Sequence, residues 1–151
     1  MKKSSRQQGA TLIEIVITVL ILSTSLLAMA TLQSRSLQFN KGASLRSHAN
    51  IFAYDIIDRI RINRGETSSN ITGYSADFGA APSGNTLAVA DVAAWRQNLS
   101  NVLPGGEGKI ACDSGTRICT ITIRWSEEQL FGAYTTVNTE GRSVLVYSTA
   151  I

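Results

Sequence analysis

One histidine, His48, and two cysteines, Cys112 and Cys119, bound the chemistry this chain can perform. A Ser-His-Asp or Cys-His site could draw on no other imidazole, and His48 falls in a stretch of helical periodicity where a solvated side chain is the ordinary outcome. Cys112 and Cys119 lack the spacing of a common zinc site, and zinc would need two further ligands. In a small exported domain such a pair is usually a disulfide, with two buried free thiols the next reading and metal the last. Glu127 and Glu128 are neighbours in sequence and read as a solvated turn, not an acid/base pair. The glycines of "PGGEGK" do not make a phosphate loop, because Ile110 follows Lys109 where Ser or Thr is required. No catalytic residue, metal or cofactor is expected, and the chain does not read as an enzyme.

The residue that needs an account is Glu14, set near the start of "ATLIEIVITVLILSTSLLAMAT". From Ile15 to Ser34 there is no formal charge, which meets the roughly 20 residues needed to cross about 30 Å of hydrocarbon. Lys2, Lys3 and Arg6 all precede Gly9, and the next cation is Arg35. The positive-inside rule then keeps the N-terminus cytoplasmic and places everything after Ser34 on the far side, the oxidising periplasm of a bacterial cell. The formal charge of +3 resides entirely in that leader, so it is no footprint for nucleic acid.

Three readings of this segment compete. "AMA" at Ala28 to Ala30 has the A-x-A form of a secretory cleavage site, although a signal core of 7 to 15 apolar residues carries no acid. A plain single-pass anchor fits the length but leaves Glu14 a burden of about 2.5 to 3.5 kcal/mol if it sits centrally. In the third, the chain is cut after Gly9. The new amino terminus at Ala10 then lies one helical turn from Glu14, and a carboxylate inside an apolar bundle could pair with its own or a neighbouring subunit's ammonium, setting the register between them.

The elements that position these residues follow from period and punctuation. Ala10 to Asn63 contains no proline, and Gly42 is its only helix-breaking type. Leu45, Ala49, Phe52, Ile56 and Ile60 recur at three- and four-residue steps, so an all-round apolar half gives way to an amphipathic one. Such a helix is about 80 Å long, and its first half must project. Arg59, Arg61 and Arg64 suit a helix C-terminus, with Asp55 and Asp58 as local partners. Asn63 and Gly65 stop the helix, and Thr67 to Thr86 reads as an irregular surface loop.

A second helix is expected at "DVAAWRQNLSNVLPGG", capped by Asp91 and burying Val92, Trp95, Leu99 and Val102. In "CTITIRW" the period changes to two, with Cys119, Ile121, Ile123 and Trp125 on one face. A turn at Ser114 to Thr116 folds "GKIAC" back along it, and with Gly115 and Thr116 as the turn residues Cys112 lies across from Cys119. "AYTTV" and "SVLVYST", separated by "NTEG", supply two more strands. Trp95 and Trp125 belong to the core. The expected class is α+β, a long N-terminal α-helix packed through its amphipathic half on a small antiparallel β-sheet.

A basic leader ending in Gly9, then "ATLIE" and a long apolar helix, resembles the class III signal of type IV prepilins. Gly9 matches the glycine before the cleavage, Ala10 the N-methylated first residue of the mature chain, and Glu14 the glutamate five residues after the cut. Most prepilins carry phenylalanine or methionine where Ala10 stands, and small residues occur among minor pilins. "AYDIIDRIRINR", "DVAAWRQNLSNVLPGGEGKI" and "CTITIRW" are similar to segments of PilV-type minor pilins. The resemblance implies a type IV pilin-like fold with a leader at 1–9, a transmembrane or filament-core helix at 10–34, and a periplasmic head at 35–151 that includes the second half of the helix. It also implies an inner-membrane protein cleaved by a prepilin peptidase. That protein then joins other minor pilins and the major pilin, through the pilus assembly platform, in a complex that primes assembly and reaches the pilus and cell surface. Motility, adhesion and DNA uptake are family outcomes among which no residue here selects. A type II secretion pseudopilin shares the signal and the helix, and a periplasmic binding domain released after Ala30 is the remaining alternative.

Overall fold

The computed structural model describes residues 11–65, 70–83, 86–127 and 142–151. Helix α1 runs unbroken over Leu12–Asn63, through a buried Gly42, and is followed by a 3-10 turn at Ile71–Tyr74. Helix α2 spans Thr86–Val102, and strands β1 (Glu107–Asp113), β2 (Ile118–Trp125) and β3 (Ser143–Ala150) form an antiparallel sheet in the order β1-β2-β3. The expected long helix packed on a small antiparallel sheet is therefore present. The leader with Gly9 and Ala10, Glu128, and the strand and turn expected at "AYTTV" and "NTEG" lie outside the described residues.

The chain divides into two compact units between Phe39 and Asn40. In the first, α1 carries no formal charge between Glu14 and Arg35, and its window of highest hydropathy is wholly uncovered and long enough to span a membrane. In the second, α1 turns Leu45, Ala49, Ala53, Ile56, Ile57 and Ile60 into the core. Arg64 and Gly65 end the helix, Gly65 at φ 71, a conformation that costs glycine no Cβ clash.

Opposite α1's stripe stand Ala88, Val92, Trp95 and Leu99 from α2 and the inner sheet face of Ile110, Cys119, Ile121, Ile123 and Trp125. The alternation expected for β2 is borne out residue by residue. Val102 is not part of the stripe. It is exposed, and Leu103, whose N–H still bonds the carbonyl of Leu99, is buried instead. In "PGGEG" the glycines serve packing and turning: Gly105 sits at φ 59, and a Cβ on Gly108 would stand 2.2 Å from the Trp95 ring.

Two further expectations are corrected here. Helix α2 begins at Thr86, so Asp91 is an interior residue and no cap. The segment expected to be irregular surface also contributes to the core, because Ile71 and Tyr74 are fully buried and Ala76 bridges Ile110. That bridge, with Ser75 Oγ accepting from Cys112 N–H at 3.0 Å and Arg96 Nε donating to Gly108 O at 3.1 Å, covers most of the outer edge of β1. A strand edge covered in this way offers no template for pairing with another chain.

Candidate functional site

Two places bear the residues singled out by type and spacing, the start of α1 and the cysteine hairpin. At the first, Glu14 lies in the opening turn of α1, where Ile15 N–H bonds Thr11 O at 3.3 Å. Glu14 and the large apolar side chains on either side of it along the helix are exposed, including Leu12 at 83% and Leu27 at 70%. Thr11 and Glu14 also have the three-residue spacing of a capping box, a second role open to this acid. No side-chain hydrogen bond forms at either among the described residues. Farther along, the hydroxyls of Thr18, Ser23, Thr24, Ser25 and Thr31 each bond a carbonyl three or four residues back. From Thr18 to Thr31 every hydroxyl is thereby satisfied within the helix, as a hydrocarbon surrounding requires.

At the hairpin, Cys112 and Cys119 are directly paired across the β1–β2 ladder and joined as a disulfide. The register is the expected one, yet the turn differs. The ladder closes at Asp113 opposite Ile118, and the left-handed residue is Arg117 at φ 56, with Gly115 on the negative-φ side. Asp113 organises the loop by accepting from Gly115 N–H and Thr116 Oγ1, both at 2.9 Å. These bonds hold its carboxyl below the usual range.

Asp91, far from capping a helix, is the centre of a polar staple among three elements. It accepts from Arg59 Nη1 at 3.1 Å and from the Tyr74 hydroxyl at 2.8 Å, while Asn63 donates to the same hydroxyl at 2.8 Å. Burial and the Asp91 bond push the Tyr74 phenol up to about 12 against the opposing Asn63 bond. Arg59 also reaches Asp55 at 3.2 Å and Arg61 reaches Asp58 at 3.2 Å, so these two arginines pair with local acids as expected. His48 is exposed. Trp95 and Trp125 are both buried, the former donating its indole N–H to Phe52 O at 2.9 Å.

Glu127 overturns the solvated-turn expectation. It is 2% exposed, with Oε1 accepting from Trp125 Nε1 at 3.0 Å and Oε2 standing 3.6 Å from Arg46 Nη2 without a hydrogen bond. Nothing in its neighbours' types signals this, since acidic residues beyond a strand end are ordinarily wet.

Two surface concavities flank the loop that crosses β1. One, of about 580 Å³, lies between Ser75–Asp77 and the disulfide hairpin and is floored by Ala111, Ile118 and Thr120. The other, of about 460 Å³, is lined by Phe78, Arg96, Ser100, Glu107 and Arg124. In it the Arg124 guanidinium stacks 3.9 Å over Phe78 and bonds Glu107 Oε2 at 2.7 Å. Burial would raise the Glu107 pKa, but the bonds from Arg124 and Arg142 outweigh it and hold the carboxyl below its usual range. No family model, no curated protein and no solved structure matches the chain.

Proposed function

We propose that this protein is a minor pilin of a type IV pilus, cut after Gly9 by a prepilin peptidase and held in the inner membrane by residues 10–34 until it joins a filament with other minor pilins and the major pilin. It has no catalytic role under this proposal; its work is to bind other subunits and prime assembly. The observation that carries the reading is a single acid, Glu14, at the head of a helix that is otherwise uncharged and uncovered as far as Ser34. A carboxylate there is unfavourable in hydrocarbon unless a cation meets it, and the ammonium created at Ala10 is one helical turn away. The same charge on a neighbouring subunit's terminus would fix the axial step between the two helices. A disulfide-closed hairpin in the head agrees with the oxidising side of the membrane.

The test is Glu14→Ala. Cleavage and membrane insertion should be unchanged, whereas incorporation into sheared pili should fall at least about tenfold, because one charge of a buried pair is lost. Wild-type incorporation of the variant would remove this account of the residue. Co-purification with a secretion apparatus instead of pilus subunits would favour the pseudopilin alternative.

A further inference from the structure

The solvent face of the sheet is charged along β1, where Glu107, Lys109 and Asp113 face outward, but its β2–β3 part is poor in charge where solvated strands are ordinarily rich in it. Outward positions of β2 from Ile118 to Thr122, and all of those on β3, carry none, and Val146 is 60% exposed, Ile118 43% and Val144 40%. Register sets Val146 beside Thr122 and Ala150 beside Ile118, so these form one continuous surface, with Thr120 and Ser148 hydroxyls bonded at 2.8 Å between them. Exposed apolar patches of this kind mark interaction sites, and interface centres are depleted in charge.

The groove of about 580 Å³ opens onto the hairpin end of that surface. Of the charged residues lining it, Lys109 pairs with Asp77 at 3.2 Å, which leaves Asp113. Among the described residues its carboxylate is met only by the neutral donors of Gly115 and Thr116; Arg117, in the same turn, forms no ion pair with it. The groove therefore has a residual single negative charge beside an apolar floor.

We infer that this face docks an extended protein segment that lays small or β-branched side chains along β2 and β3 and places one lysine or arginine in the groove against Asp113. The residual charge calls for one cation and repels phosphates, which sets nucleic acid aside. The floor of Ala111, Ile118 and Thr120 offers no aromatic platform and few convergent donors, which sets aside a small organic ligand. The inference concerns the head alone and does not depend on the pilin proposal.

The test uses the full chain in detergent micelles, labelled at Ile, Val and Ala methyls. The probes are acetyl-Thr-Val-Thr-Lys-Thr-Val-Thr-amide and its counterparts with glutamate or norleucine at the centre. Saturable shifts are expected at Ile118 and Val146, with the lysine peptide about fivefold tighter than the glutamate peptide, as one exposed charge pair allows. Asp113→Asn, which keeps an oxygen for the turn, should bring the lysine peptide to the norleucine level, and Val146→Lys should abolish binding of all three. Absence of saturable shifts, equal affinity for the lysine and glutamate peptides, or an Asp113→Asn chain with an undiminished lysine preference would each overturn the inference.

Discussion

At Glu127 a carboxylate is almost fully covered, one oxygen held by the Trp125 indole and the other facing Arg46 at 3.6 Å. Arg46 is 64% exposed, so solvent screens the pair and its loss costs under about 1 kcal/mol. Keeping a charge buried is more costly than that, by several kcal/mol before compensation. Glu127→Gln, which retains the indole's acceptor, should therefore match the native protein or exceed it by about 1 kcal/mol in urea unfolding followed by circular dichroism. Trp125→Phe strands the acceptor and should cost about 1 to 3 kcal/mol; a Glu127→Gln loss of similar size would show that the ion pair dominates. Individual roles such as these are the least legible part of the sequence. Residue type places Asp91 at a helix start and Glu127 in water, because type reports average exposure, while both roles depend on partners 32 and 81 positions away, Arg59 and Arg46.

Elements are legible wherever a period persists. The two-residue alternation of Cys119, Ile121, Ile123 and Trp125, and the helical step from Leu45 to Ile60, both follow from burial on one face and need no knowledge of the partner. The 3-10 turn at Ile71–Tyr74 has too few residues to show a period, which is why Ile71 and Tyr74 pass for surface in the sequence. The start of α2 is hidden for a different reason, because "TLAVA" lacks a polar stripe. How α2 meets β1 leaves no pattern either, and it rests on Gly108. The Trp95 ring lies where a Cβ would be, and Leu99 Cδ1 stands 2.8 Å from the same point. Gly108→Ala must displace a fully buried indole, so a loss of about 1 to 3 kcal/mol is expected in the unfolding midpoint. An unchanged midpoint would mean that Trp95 moves freely, contrary to the packing described.

On the scale of the molecule, the class was readable in advance, a long helix packed through its second half on a small sheet, because membrane length, amphipathic stripe and strand alternation each leave a pattern. The solvent face of the sheet leaves none, since its character comes from a register that aligns β2 with β3 across intervening chain. What joins the described parts into a function is the account of Glu14 as half of a buried charge pair whose other half exists only after processing. That account stands or falls on where the mature chain begins. Intact mass of the protein recovered from assembled filaments should give a chain that starts at Ala10. Filaments containing a chain that still carries Met1 to Gly9, or one that begins at Thr31, would contradict it.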